Sequence, residues 1–306
     1  MKPLVTIAIP VKNGFAKRYP STGTVYTEKD INLSSALDAI INQSYTNLEI
    51  IVSNNGSTDE TASFLEDISK KDKRIKVFHQ QNQILLFENF QFVLEKSKGK
   101  YFKWNAADDM ISNNYIEHNV NFLEKNLDYI SSSSKFWFED NDQKVYFHDL
   151  DDNLHDRIKK FFSIRFVSHN IFFGLSRKEV LLNIFNTNKL QDYLGVDWMV
   201  DLYLLFEGKY KTIKEGHIII GTKGISKSEN YLKIKRFNKK IIYKILPFYE
   251  LTKDLVKKII LIKKLNFFEK ISIFLTCIKI NLSFIKKHKM NQSINRTKEQ
   301  KINNEK

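Results

Sequence analysis

Apolar and polar positions switch between two periods along the first half of the chain. Residues 5–10 (VTIAIP) and 48–52 (LEIIV) are short, nearly unbroken apolar runs, the pattern of strands buried on both faces. Between them Leu33, Ala36, Leu37, Ile40 and Ile41 recur at three- and four-residue spacing and predict a helix over 32–43. Helical patterns at 58–68 and 85–95, with strand patterns at 75–78 and 101–104, continue the alternation. This order predicts an α/β fold: a mixed, mainly parallel sheet with helices on both faces. Further on, 129–148 reads as strand with polar interruptions, 151–162 as a surface helix, 170–176 (NIFFGLS) as a buried strand and 178–185 as a helix. A last helix opens at Gly195 and runs to Glu207, with Gly208 as its stop. Residues 15–29, with Pro20 and Gly23, read as a long loop.

Open α/β sheets bind ligands at the carboxyl ends of their strands. That rule places three segments on one rim: 10–14 after the first strand, 53–59 after the second, and 106–109 after the fourth. The third ends in Asp108 and Asp109. Adjacent carboxylates there suit Mg²⁺ or Mn²⁺, which bind through one or two carboxylates plus substrate phosphates. The same residues also suit a solvated turn, and Ser57 or Thr58 is expected to cap the next helix. Nucleotide-sugar transfer needs a nucleoside recess, a cation for the diphosphate and a carboxylate to deprotonate the acceptor hydroxyl. The first strand's end and Asn54 would form the recess, Asp108 and Asp109 would hold the metal, and Asp197 would be the base. Asp197 is chosen over Asp201, one turn on, because it opens its helix; a helix-start Asp is also stabilised by the macrodipole without any catalytic role.

Composition narrows the class. The 42% hydrophobic content of the 306 residues argues against wholesale disorder. A single cysteine, Cys277, excludes an intrachain disulfide and a multi-cysteine zinc site, which fits a reducing compartment. The seven histidines show no metal-binding spacing, and Met1-Lys2-Pro3 leads into a strand without a signal-peptide pattern. The net charge of +14 divides unevenly. Residues 233–306 hold 20 Lys and Arg against 5 Asp and Glu, leaving 29 against 30 in residues 1–232. A globally basic nucleic-acid-binding domain is therefore disfavoured, and no nucleic-acid partner is expected. Neither G-x-G-x-x-G, nor a P-loop, nor G-x-S-x-G is present.

The blocks VTIAIPVKNG, NQSYTNLEIIVSNNGSTDET and GKYFKWNAADD together resemble the family 2 glycosyltransferases, inverting enzymes of the GT-A (Rossmann-like) fold. The resemblance covers roughly residues 4–225. It implies a nucleotide-sugar-binding set of Pro10, Val11, Asn13, Asn54, Asn82 and Asp108, a metal site at Asp109 and Asp108 for Mn²⁺ or Mg²⁺, and a catalytic base at Asp197 in GVDWMVDLYLLFEGKY. Two positions depart from the family's pattern. Asn54 stands where many members have Asp, and Ala106 where the metal motif usually begins with Asp. Two other readings remain: a sugar nucleotidyltransferase, for which 10–14 is a poor phosphate loop, and a non-catalytic nucleotide-sugar- or membrane-binding module.

The expected organisation is a catalytic domain over 1–232, a basic amphipathic helical region over 233–290 and a disordered tail over 291–306. The basic region mixes Lys with Ile, Leu and Phe, and its longest uncharged stretch is 271–278, far short of the roughly twenty residues that span a bilayer. It suits helices lying on an anionic membrane surface. That points to a cytoplasmic protein, peripheral on the inner face of the cytoplasmic membrane, with a glycan or lipid-linked acceptor in bacterial surface-polysaccharide synthesis.

Overall fold

The computed structural model describes residues 1–14, 31–164, 167–188, 190–221 and 242–304. β1 (Val5–Val11) is buried along its whole length, with Val5, Ile7, Ile9 and Val11 facing one apolar layer and Ala8 the other. α1 (Leu33–Ile41) follows, capped by Asn32, whose side chain accepts from the backbone of Ser34 and Ser35. β2 (Leu48–Asn54), α2 (Thr61–Lys71), β3 (Ile75–His79), α3 (Leu86–Lys96) and β4 (Tyr101–Trp104) complete the alternation expected from the periodicity. β1 pairs in parallel with β2 and with β4, and β2 in parallel with β3. α2 starts three residues later than expected. Neither Ser57 nor Thr58 caps it; Thr61 N donates to Asp59 Oδ1 at 3.1 Å instead.

The second half completes a nine-stranded mixed sheet. β5 (Asp109–Ile111), α4 (Tyr115–Lys125), β6 (Tyr129–Phe138), β7 (Asn141–Tyr146) and α5 (Leu154–Ser163) come first. Then follow α6 (Val167–Phe172), β8 (Leu175–Arg177), α7 (Lys178–Asn188), α8 (Val196–Glu207) and β9 (Lys209–Ile220). The order is β3-β2-β1-β4-β8-β6-β9-β5, with β7 on β6. β8 runs antiparallel to both β4 and β6, while β6 and β9 run parallel. The strand expected over 170–176 does not form. The first part of that segment belongs to α6, and after Gly174 only Leu175 and Ser176 join β8. A short apolar run has no period that separates a buried strand from a buried helix turn. α5 is not a pure surface helix either, since Arg157, Ile158 and Phe161 are buried.

Two apolar layers sandwich the sheet. One joins β1 and β2 to α1, Leu65 of α2, and α4. The other joins Phe102 and Trp104 of β4 to α3, α5, α6, α7 and α8. Of the C-terminal helices α9 (Ile242–Ile245), α10 (Tyr249–Leu261) and α11 (Phe267–Asn304), the last two enlarge this second layer. Leu251, Leu255, Ile259, Ile273 and Cys277 share a core with Trp104 and Val200. Asn281 ties α11 to the start of α10 by accepting from Phe248 N at 2.8 Å. The expected boundary at 232/233 and the loop expected over 15–29 lie outside the described residues, and α11 runs past the boundary expected at 290/291. Among the described residues no helix is long and apolar enough to cross a membrane.

Candidate active site

The parallel register aligns the strand ends on one rim: Pro10 opposes Ser53, Val11 opposes Asn54, and Asn54 opposes His79. Asn13 takes a left-handed conformation, φ 53°, which its short polar side chain tolerates. Asn13 N donates to Ser57 Oγ, and its Oδ1 accepts from Thr58 N, each at 2.8 Å. Asn54 is buried, with Oδ1 accepting from Ser57 N at 3.1 Å and Nδ2 placed 3.1 Å from His79 Nδ1. The expected Pro10, Val11, Asn13 and Asn54 thus gather at one place. Asn82 is exposed in the bend between β3 and α3.

The double-aspartate turn is built differently from a solvated loop. Asn105 N donates to Ala8 O at 2.9 Å, and its side-chain amide donates to the carbonyls of Ala106 and Asp109 at 2.8 and 2.9 Å, folding the chain from β4 into β5. Asp109 is only 2% exposed. Its Oδ1 accepts from Gly221 N, and its Oδ2 lies against His169 Nε2, both at 3.0 Å. A methyl group on Gly221 would stand 2.1 Å from the Asp108 carbonyl, so glycine alone fits against the turn. Burial pushes the Asp108 carboxyl up to about 6, and the like charge of Asp109 adds to this while His169 opposes it. Behind the turn, buried Lys103 donates to the Phe173 carbonyl at 2.6 Å and the Trp104 carbonyl at 3.1 Å. Its burial pulls its ammonium down to about 7 against the attraction of Asp109.

His169 is the hinge between this turn and a cavity of about 220 Å³. Phe161, Phe162, Phe172, Phe173 and Trp198 form aromatic walls, and Ser168, His169 and Asp197 supply the polar groups. Asp197 sits in the first turn of α8, which Gly195 opens with φ 85°. Asp201, one turn further, does not line the cavity. It is fully buried, with Ser168 Oγ donating to its Oδ2 at 2.5 Å. The cavity is smaller than the roughly 300–1,000 Å³ of whole ligand sites, so it suits one part of a substrate. Among the described residues no three His, Cys, Asp or Glu side chains converge on a common cation position.

The structure therefore connects Asp109 to the Asp197 cavity through His169, and holds Asn13 with Asn54 on the neighbouring rim. His169, Ser168 and Gly221 were not found from the sequence. Their contacts join positions 60, 33 and 112 residues apart, and no local spacing signals them.

The Glycosyl transferase family 2 profile matches residues 24–181, just over half of the chain. An uncharacterized glycosyltransferase of Haemophilus influenzae is 43% identical over 104 residues, covering 34% of this chain and 32% of that protein. Glycosyltransferase GlyA of Streptococcus pneumoniae is 31% identical over 129 residues, 41% of this chain and 18% of GlyA. The chain thus matches less than half the length of either relative. Among solved structures, S. aureus TarS 1-349 superimposes with a TM-score of 0.64 at 12% identity, over 92% of this chain and 72% of TarS, and its complex with UDP-GlcNAc gives 0.63 at 13% identity. The mannosyltransferase PcManGT from Pyrobaculum calidifontis, in complex with GDP-Man and Mn²⁺, gives 0.56 at 14% identity, over 92% of this chain and 70% of that one. These likenesses identify the GT-A fold, and with the family match over half its length the chain belongs to glycosyltransferase family 2.

Proposed function

We propose that the protein transfers a sugar, with inversion, from a nucleotide-sugar donor to a hydroxyl of a glycan or lipid-linked acceptor in bacterial surface-polysaccharide synthesis. The observation that carries this reading is the chain of contacts from Asp109 through His169 to the cavity holding Asp197. In the reaction the acceptor oxygen bonds to the anomeric carbon as the bond from that carbon to the diphosphate breaks. Asp197 takes the hydroxyl proton, and the nucleoside diphosphate leaves. Asn54, Asn13, Pro10 and Val11 on the rim would border the nucleoside, and aromatic side chains wall the cavity that holds Asp197. The donors found in complexes of fold neighbours, UDP-GlcNAc in TarS and GDP-Man in PcManGT, support a nucleotide-sugar here.

A divalent cation, Mn²⁺ or Mg²⁺, fits the turn through Asp108. Its carboxyl is held up by burial and by a like charge, a strain that a cation relieves. Both Asp109 oxygens are already engaged, so Asp109 would shape the site and add charge, while the remaining ligands of a bound cation would have to come from the donor. When bound, the cation offsets the charge developing on the leaving diphosphate. The protein works at the cytoplasmic face of the membrane, held there through its basic C-terminal region.

Thermal shifts against UDP-, GDP-, CDP- and dTDP-sugars, with and without Mn²⁺, identify the donor, and Asp197→Asn tests the mechanism. The variant should bind that donor as the parent does while transfer, or donor hydrolysis, falls by about 10²–10⁴. Undiminished turnover in Asp197→Asn would remove Asp197 as the base; no stabilisation by any nucleotide-sugar would remove the transferase reading.

A further inference from the structure

α11 carries two apolar faces, and among the described residues only one of them meets the rest of the protein. Ile273, Cys277 and Asn281 point inward and are buried. Phe267, Phe268, Ile271, Phe274, Leu275 and Leu282 repeat at spacings of three, four and seven, so they lie along a second face of the helix, and all are exposed. Phe267 is 70% and Phe268 79% exposed, and Ile260 and Leu261 at the end of α10 extend the patch at 63% and 78%. Eight of the fourteen large apolar side chains most exposed among the described residues fall in this stretch. Isolated exposed apolar residues need no explanation, but a contiguous stripe marks a contact surface.

The charge around the stripe selects its occupant. From Lys263 to Lys286 there are five lysines and one acidic residue, Glu269, while Lys257 and Lys258 pair with Asp254 and Glu207. A second copy of the chain, docked face to face about a twofold axis, would set these lysines against themselves. An anionic lipid surface matches both features, taking Phe, Leu and Ile into the boundary between headgroups and acyl chains and the lysine ammonium groups into the phosphate layer. The stripe extends over about 22 Å of helix at about 1.5 Å per residue, which suits a helix lying in the plane of the surface.

We propose that the outward face of α11, with the end of α10, docks the protein on anionic lipid with α11 flat on the surface. This deepens the reading of a membrane-held transferase by naming the side chains that insert and the orientation they impose. On the inward side of the same helix Phe284 meets Phe248 at 5.0 Å between ring centroids, and Phe248 stacks at 5.2 Å on Trp198 of the cavity wall. A helix lying flat therefore sets the wall of the Asp197 cavity one helix thickness from the lipid surface, on the inward side of α11.

The test uses the full chain and flotation with vesicles of phosphatidylcholine alone or with roughly one quarter phosphatidylglycerol, at low and high salt. Phe267→Ser/Phe268→Ser/Leu275→Ser removes exposed side chains, so its melting temperature and nucleotide-sugar binding should match the parent's. Its affinity for the phosphatidylglycerol vesicles should fall at least tenfold, and the parent should release from them at high salt less completely than a purely ionic binder. Equal binding of parent and variant, or equal binding of the parent to both vesicle types, overturns the proposal. So does a parent dimer in light scattering that the variant converts to monomer. Nucleotide-sugar binding is read in a separate assay without vesicles, so failure of the transferase reading and failure of membrane docking give different results.

Discussion

Asp197 and Asp201 stand one turn apart on α8, yet their surroundings give them different chemistry. Asp197 lines the cavity, while Asp201 is sealed behind it with Oδ2 accepting from Ser168 Oγ and Oδ1 without a hydrogen-bond partner among the described residues. Burial pushes the Asp201 carboxyl well above its ordinary value, and the charge of Asp197 pushes in the same direction. The group is therefore protonated in the fold over a pH range in which the unfolded chain ionises it. Below the unfolded pKa of about 3.9 both states carry the proton and folding is indifferent to pH at this site. Above it, stability falls by up to ~1.4 kcal/mol per pH unit until the folded carboxyl also ionises. Asp201→Asn keeps the shape and removes the titration. Its melting temperature should therefore rise relative to the parent as the pH climbs above about 4, on the order of 2–4 °C for each kcal/mol relieved. A gap that stays constant with pH would mean that Asp201 is already ionised in the fold. The sequence put these two carboxylates on one helix face but did not distinguish them, because the distinction comes from α6, whose Ser168 is 33 residues away.

At the scale of elements, α8 is the piece that carries Asp197, and the residue that caps its start sets how the helix begins. Gly195 has φ 85°, and a methyl group there would lie 3.0 Å from Phe248 Cδ1 and 3.1 Å from Leu251 Cδ1. Gly195→Ala meets both a left-handed backbone and a packed neighbour. It should cost about 1–2 kcal/mol from the backbone alone, read as a lower denaturation midpoint. Because the strain falls two residues before Asp197, turnover should drop by more than donor binding; equal loss of both would place the effect on overall folding. α8 was legible from its sequence because it is bounded by two glycines, as were α1 and β1 to β4, whose periodicity is local. α6 was not, because the apolar residues around Ile171 and Phe172 carry no period of their own and become helical through contacts made by Ser168 and His169 across the fold. β9 went unread for a related reason. Its partner β6 lies some eighty residues earlier, and a register shift between Ser134 and Lys135 breaks the regular alternation of the pair. The candidate site divides the same way. Its rim followed from strand order and its base from a helix start, whereas the Asp109–His169 and Asp109–Gly221 contacts needed the folded chain.

On the scale of the whole molecule, the charge division suggests a neutral domain with a detachable cationic appendage, and the packing argues against detachability. Phe248, Leu251, Leu255, Ile259, Leu265, Ile273 and Cys277 belong to the same apolar layer as Ala8, Ile51, Trp104 and Met199. Trp198, beside the base, stacks on Phe248 at 5.2 Å, and Lys258 reaches Glu207 at the other end of α8. α10 therefore runs alongside α8 from one end to the other, and removing it uncovers one flank of the helix that carries Asp197. Each of the larger apolar side chains lost from this layer is worth about 1.5–3 kcal/mol of burial, and single domains are stable by only about 5–15 kcal/mol. A chain ending at Gly221 should thus lose its cooperative melting transition, expose enough apolar surface to aggregate, and bind no nucleotide-sugar. The full chain should melt in one step whether followed by ellipticity or by the fluorescence of Trp198, Trp104 and Trp137. Two separate transitions, or a truncated chain that still melts cooperatively and binds donor, would make the C-terminal helices an independent unit. The basic charge would then be a module attached to the domain; with a single transition it is the outer surface of the domain's own second layer.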